Sequence, residues 1–276
     1  MANNLFEEIV ELHGANGSEK SNAIRETMHI FALAGLNRGG FFEHAAFYGD
    51  TCLRVYYGLD RFSEDMDFSL LSHDETFSLE KYFDAIIDEF ALAGRKISIQ
   101  KRKATGKTAI ESAFLKDDTQ VFNLSGELMP NVKIKIEIDT NPPPGFETEY
   151  SLSMSPYSFM ARCYSLPSSF AGKMSALLYR TWRDRIKGRD WYDFEWYVRK
   201  GVAMNLSHFN ERAIQFGKTK EGFTPETFKD LLRKKINSTD IELAKEDVVH
   251  FISDKSKLDI WDTYYFLQVA ELMKIE

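Results

Sequence analysis

The sequence predicts an α+β fold: a mixed sheet dressed by helices in the first part of the chain, followed by a bundle of helices. Three observations predict it. Val132-Lys133-Ile134-Lys135-Ile136-Glu137-Ile138-Asp139 puts four β-branched residues on one face of a strand and four charged residues on the other. Thr140-Asn141-Pro142-Pro143-Pro144-Gly145 then ends that strand, because proline cannot donate to a ladder. Past this punctuation the apolar residues recur at helical spacing almost to the end of the chain. We therefore expect one domain over 1–150 and a second over 151–276, joined through the proline-rich stretch and the Tyr150 to Pro156 segment. A chain of 276 residues is long enough to bury two modest cores, and its 22 Phe and 12 Tyr supply the side chains for them.

In chain order, residues 4–12 and 19–36 read as helices. The second starts at Ser18 or Ser21 and carries Ile24, Met28 and Phe31 at helical spacing. Asn37-Arg38-Gly39-Gly40 stops it. Ala45 to Tyr48 reads as a strand, Gly49 as a tight turn, and Thr51 as the cap of a helix from Cys52 to Tyr57. Such a helix start is an anion site, to which Arg54 and Arg61 add positive charge. Asp65-Met66-Asp67-Phe68 alternates, so as a strand it buries Met66 and Phe68 and projects both carboxylates from the other face. A helix is expected from Leu79 to Ala93, and strands over Lys96 to Gln100, Glu111 to Leu115 and Gln120 to Leu124. The expected later helices cover 168–186, 190–200, 206–217, 224–236 and 257–274.

Composition and charge bound the function. A hydrophobic share of 43% with 28% charged residues is ordinary for a soluble globular protein, and a net charge of −7 argues against a protein that coats nucleic acid indiscriminately. The charge is unevenly placed: Gly58 to Ala91 holds 10 acids and 2 bases, whereas Arg95 to Lys107 holds 6 bases and no acid. A second basic cluster comprises Lys173, Arg180, Arg183, Arg185, Lys187 and Arg189. The two cysteines, Cys52 and Cys163, have no ligand or redox spacing and read as reduced core thiols of a cytoplasmic protein. No apolar run predicts a membrane span, and the first residues do not read as a signal peptide. The six histidines have no ligand spacing and receive no role.

Two carboxylates side by side repel unless a cation neutralises them, and Mg²⁺ takes one or two carboxylates together with phosphate oxygens. A phosphate-cradling turn followed by Asp-x-Asp thus reads as a metal and triphosphate site. Two other motifs fail on spacing. A calcium loop counted from Asp65 would need Gly where Leu70 stands and Glu where Thr76 stands, and a P-loop ending at Gly106-Lys107-Thr108 would need Gly at Lys101. A third carboxylate is expected on a neighbouring strand, with Glu137 the candidate and Asp139 the alternative on the same face.

Gly49-Asp50-Thr51 with Leu53-Arg54, followed by Arg61-Phe62-Ser63-Glu64-Asp65-Met66-Asp67-Phe68, resembles the first motif of the AbiEii/AbiGii nucleotidyltransferase toxins of the DNA polymerase β-like superfamily. Asp50 stands where that family usually has a second glycine. Ile136-Glu137-Ile138 is similar to the second motif. Lys173 with Ala176-Leu177-Leu178 and Arg180 is similar to the third, and Lys187-Gly188-Arg189-Asp190-Trp191-Tyr192-Asp193-Phe194 to the fourth. The resemblance spans roughly residues 45 to 200. It implies a polymerase β-like domain that transfers a nucleotide from a nucleoside triphosphate to an acceptor, with RNA, the 3′ end of tRNA, as that acceptor. It also implies a toxin of a toxin–antitoxin or phage-defence pair with a cognate antitoxin. Asp65, Asp67 and Glu137 would hold Mg²⁺, or Mn²⁺ in its place; Lys173 would contact phosphates and Asp190 would serve activity. Gly49, Asp50, Thr51, Arg54, Arg61, Arg180 and Asp193 would bind substrate. Lys173 and Arg180, seven apart, are expected on one helix face, with Asp190 and Asp193 neighbours on another helix. Two other readings remain open here. Asp-x-Asp also serves metal-dependent glycosyltransferases, which prefer a nucleotide-sugar, and Asp50 beside the turn suits a nucleotide-docking protein without turnover.

Overall fold

A computed structural model describes residues 5–15, 20–102, 110–117, 132–180 and 186–276. The expected strand Gln120 to Leu124, the Ser18 cap, the end of the 168–186 helix, and Arg183 and Arg185 lie outside them. The chain gathers into two compact units. The first is built from the chain up to Tyr56 together with Ser63–Pro142 and Tyr150–Cys163, and the second from Tyr57–Phe62, Pro143–Glu149 and Tyr164–Glu276.

The first unit centres on a seven-stranded mixed sheet: β1 (Ala45–Tyr48), β2 (Met66–Leu70), β3 (Ile97–Lys101), β4 (Ile110–Asp117), β5 (Lys133–Asp139), β6 (Thr148–Ser153) and β7 (Phe159–Tyr164). Their spatial order is β3-β4-β5-β2-β1-β7-β6. β1 runs antiparallel to β2, and β4 antiparallel to both β3 and β5, whereas β2 lies parallel to β5 and β1 parallel to β7. Alternation separates the two faces of the sheet. Phe47, Met66, Phe68, Ile134, Ile136, Ile138, Ala113 and Leu115 are buried on one face. Helices α1 (Leu5–Ala15), α2 (Lys20–Arg38) and α4 (Phe83–Leu92) pack with one another, α2 also against β5 and α4 against β3. Phe6, Phe31 and Phe90 meet there with ring centroids 5.4 to 6.4 Å apart. The opposite face of the same strands carries Asp67, Glu137, Asp139 and the lysines of β4 and β5.

The helix expected from Leu79 to Ala93 is a 3₁₀ turn, Leu79–Tyr82, leading into α4. The Tyr150 to Pro156 segment, expected as a link, instead begins inside β6 at the edge of the sheet, which runs to Ser153, and β7 pairs Cys163 with Phe47 of β1. Chain after the proline punctuation thus returns to the sheet before the helices begin.

The second unit contains α5 (Leu166–Tyr179), α6 (Gly188–Arg199), α7 (Leu206–Gln215), α8 (Pro225–Asn237), α9 (Ile241–Val248) and α10 (Thr263–Leu272), with a short parallel pair, β8 (Ala203–Met204) and β9 (Lys274–Ile275). Side-chain caps start most of these helices: Ser165 for α5, Asn205 for α7, Thr224 for α8, Asp240 for α9 and Asp262 for α10 each accept a backbone N–H of the first turn. Pro225 occupies the first turn of α8, where a missing N–H costs nothing. The helix α9 has no counterpart in the sequence reading. Among the described residues no helix is long and apolar enough to cross a membrane.

Candidate active site

In the first unit the turn between β1 and β2 carries α3 (Gly49–Tyr57), which begins one residue after the strand ends. Gly49 has φ +76°, a conformation L side chains rarely adopt, and a Cβ added there would lie 2.6 Å from Asp67 Oδ2. The turn backbone therefore lies directly against the Asp67 carboxylate. Any larger residue would displace it. Asp50 falls in the first turn of α3, where the helix dipole favours a negative charge.

Thr51 was expected to cap a helix from Cys52; instead it lies inside α3, fully buried, with its hydroxyl turned to the next strand. Its Oγ1 donates to the Asp65 carbonyl and is hydrogen-bonded to Ser63 Oγ at 2.8 Å. From α2, His29 Nε2 donates to the Glu64 carbonyl at 3.1 Å, and burial pulls the His29 pKa down to about 4, which keeps the ring neutral. Arg25 stands 3.6 Å from the Glu64 carboxylate. The Ser63–Asp65 segment is thus pinned by two helices. Sequence reading passed over His29, since a lone buried histidine carries no local signal.

Strand register sets the carboxylates. Asp67 pairs with Glu137 across the parallel β2–β5 ladder, and Ser69 with Asp139, so Glu137 stands directly beside Asp67 on the same face. Asp139 sits one row further on, where its Oδ1 accepts the Asn141 N–H at 3.0 Å and shapes the turn. Of the two alternatives left by the sequence, Glu137 is the one opposite Asp67. Lys135 Nζ lies 2.7 Å from Glu137 Oε1, a cation already balancing that carboxylate. Among the described residues no three His, Cys, Asp or Glu side chains gather into a ready-made metal cluster. The residues nevertheless fit a hard divalent cation: the donors are carboxylate oxygens, Mg²⁺ needs only one or two of them beside phosphate oxygens, and the turn that abuts Asp67 has a glycine there, so no side chain crowds that carboxylate.

The second unit brings together Arg61, Lys173, Asp190 and Asp193. Arg61 was expected as an open cation for substrate. It is instead wholly buried, with Nε and Nη2 each donating to an Asp193 carboxylate oxygen at 2.6 Å. From α5, Lys173 Nζ lies 2.9 Å from Asp190 Oδ1 and 2.7 Å from Asp193 Oδ2, so the two acids of α6 hold one ammonium between them. Arg180 does not share the Lys173 helix face: α5 ends at Tyr179, and Arg180 is exposed in extended backbone. Arg54, in the first unit, donates to Glu26 at 2.7 Å.

The α6 end that carries these acids is itself closely fitted. Gly188 N donates to Asp247 Oδ2 of α9 at 2.9 Å, and a Cβ on Gly188 would meet the Ala244 carbonyl at 1.8 Å. Only glycine lets the two helices approach there. Beside them Tyr192 donates to Asp60 Oδ1 at 2.7 Å, and Lys257 bonds the other Asp60 oxygen.

Comparison with known proteins speaks to family and fold. The profile of the nucleotidyl transferase AbiEii toxin of type IV toxin–antitoxin systems matches residues 32–268. No curated protein matches the chain in sequence. Among solved structures, JHP933 from Helicobacter pylori superposes with TM-score 0.55 at 18% identity, covering 92% of each chain. MenT4, a nucleotidyltransferase toxin from Mycobacterium tuberculosis H37Rv, superposes with TM-score 0.56 at 12% identity, covering 96% of this chain and 97% of its own. At such identities these two speak for the fold, whereas the profile match extends over most of the chain. The chain belongs to the AbiEii family of nucleotidyltransferase toxins of type IV toxin–antitoxin systems.

Proposed function

We propose that the protein transfers a nucleotide from a nucleoside triphosphate to an RNA acceptor, the 3′ end of tRNA, in the cytoplasm, with Mg²⁺ held by Asp65, Asp67 and Glu137. The observation that carries this reading is the in-register pair Asp67 and Glu137, with the Gly49 turn packed against Asp67. A divalent cation bound there, for which Mn²⁺ would substitute, supplies positive charge to the triphosphate and acidifies the acceptor hydroxyl.

The chain's own residues do the rest. Asp67 and Glu137 stand in register on neighbouring strands, and Thr51 and His29 fix the backbone that carries Asp65. The backbone of the Gly49 turn, which has no side chain of its own, would take the phosphates. The acceptor hydroxyl attacks the α-phosphorus, the bond to the β-phosphate oxygen breaks, pyrophosphate leaves, and one of the carboxylates takes the hydroxyl proton. In the second unit, Asp190 and Asp193 fix the position of the Lys173 ammonium. As a toxin of this class it is expected to be held in check by the product of an antitoxin gene.

The test is incubation of the protein with Mg²⁺, total tRNA and each of the four α-labelled ribonucleoside triphosphates in turn, beside an Asp65→Ala/Asp67→Ala variant. Label on RNA that disappears in the variant is the expected result. Equal labelling by a folded variant would overturn the site, and label found on protein or a small molecule would overturn the RNA acceptor.

A further inference from the structure

The polar face of β3, β4 and β5 is graded in charge, and register shows how. Three rows cross it. Nearest Asp67 runs Ser112, Glu137, Asp67; the next row holds Gln100, Phe114 and Lys135; the row beyond holds Ser98, Lys116 and Lys133. Rows two residues apart are about 7 Å apart along the strands. Among the described residues of these three strands, no acid occupies this face in the second or third row. The acids of β4, Glu111 and Asp117, fall on the other face by alternation, and there Asp117 pairs with Arg95.

Lys116 and Lys133 are directly opposed across the antiparallel β4–β5 ladder. Lysines often guard edge strands from pairing, but β4 and β5 lie inside the sheet, so that explanation does not apply. Lys133 is exposed, and its ammonium lies 5.1 Å from the centre of the half-exposed Phe114 ring. Cations interleaved with an aromatic ring, on a protein of net charge −7, form a local site for a polyanion carrying bases.

We propose that this strip, Lys116, Lys133 and Phe114, receives the phosphodiester backbone of the RNA acceptor and leads its end along β5 toward Glu137 and Asp67. The inference rests on the transfer reading above and adds to it the surface that recognises the acceptor. The lysines meet phosphates, and Phe114 offers a ring on which a base can stack. Lys135, engaged with Glu137, marks the passage from the cationic strip to the carboxylates.

Binding without chemistry tests it. Fluorescently labelled total tRNA is titrated with the full chain in EDTA buffer at several salt concentrations, using the wild type, Lys116→Gln/Lys133→Gln and Lys116→Arg/Lys133→Arg; triphosphate binding is followed separately by thermal shift in Mg²⁺. The Gln pair is expected to bind tRNA about tenfold more weakly, with the slope of log affinity against log salt reduced by about 1.4 to 1.8. The Arg pair keeps wild-type binding, and triphosphate binding is unchanged in both. Unaltered tRNA affinity and slope in a folded Gln pair would overturn the proposal, as would a loss confined to triphosphate. Such a failure beside Asp67-dependent labelling of RNA would leave the transfer reading standing. Labelling that survives Asp65→Ala/Asp67→Ala would sink that reading whatever the strip binds.

Discussion

The protein sets charged residues in two opposite ways. On the sheet, Asp67 and Glu137 are half-exposed, brought side by side by strand register, with one cation, Lys135, shown to balance Glu137. In the helical unit, Asp193 is fully buried and binds both Arg61 and Lys173, and Asp190 adds a second contact to Lys173. The first group keeps like charges together near solvent, where an arriving cation can reach them. The second is already neutralised and shielded, so its ions hold the fold together and fix one another's positions. A carboxylate's neighbours, more than its motif, decide whether it is available to a ligand.

The largest effect should come from breaking the buried network. Asp193→Asn leaves Arg61 and Lys173 short of a counter-charge and is expected to cost about 3 to 5 kcal/mol in urea unfolding. Asp67→Asn, by contrast, should change stability by no more than about 1 kcal/mol while abolishing transfer. If both cost the same stability, the contrast between the two groups is wrong.

Acid should reach both units through their buried histidines. Burial draws His29 and His208 down to about 4 from an ordinary value near 6.5, so the unfolded chain binds their protons first. Their contribution is whole above about pH 6.5 and is lost as pH falls from there to about 4, roughly 3 kcal/mol for each ring. Unfolding midpoints across that window should fall for the wild type, and His29→Gln should flatten its share. A slope unchanged by that substitution would show that the His29 ring is not held neutral.

The most local effect is at Gly49. Gly49→Ala places a side chain in left-handed backbone at a cost of about 1 to 2 kcal/mol and forces Asp67 aside. Transfer should fall well beyond what that loss of stability explains, and near-normal transfer would mean that the close approach of turn and carboxylate has no part in the reaction.

Short-range patterns were legible in the sequence. Ala45–Tyr48 emerges with the bounds expected of it, and the alternation of Lys133 to Asp139 and of Met66 to Phe68 places the charged and apolar residues on the faces the structure gives them. What escaped was set by distant partners. Thr51 looks like a cap because its sequence neighbours form a helix, yet its hydroxyl bonds the Asp65 backbone 14 positions on. Arg61 looks like an exposed cation until Asp193, 132 positions later, encloses it. β6 was hidden for another reason. As an edge strand, with Tyr150 and Leu152 both exposed, it shows neither clean alternation nor an apolar run, and only its place beside β7 defines it. Arg180 fell off its expected face because α5 ends one residue sooner.

The parallel β2–β5 pairing has a consequence for how the carboxylates come into being. Parallel neighbours cannot be joined by a tight hairpin, and here α4, β3 and β4 intervene, so Asp67 and Glu137 meet only through a contact of high sequence separation. A slip of one residue in that ladder would turn Glu137 to the apolar side. A nascent chain that has not yet presented β5 therefore holds Asp65 and Asp67 without their partner. The order in which the chain is made and folded delays the appearance of the assembled group until the sheet is nearly complete.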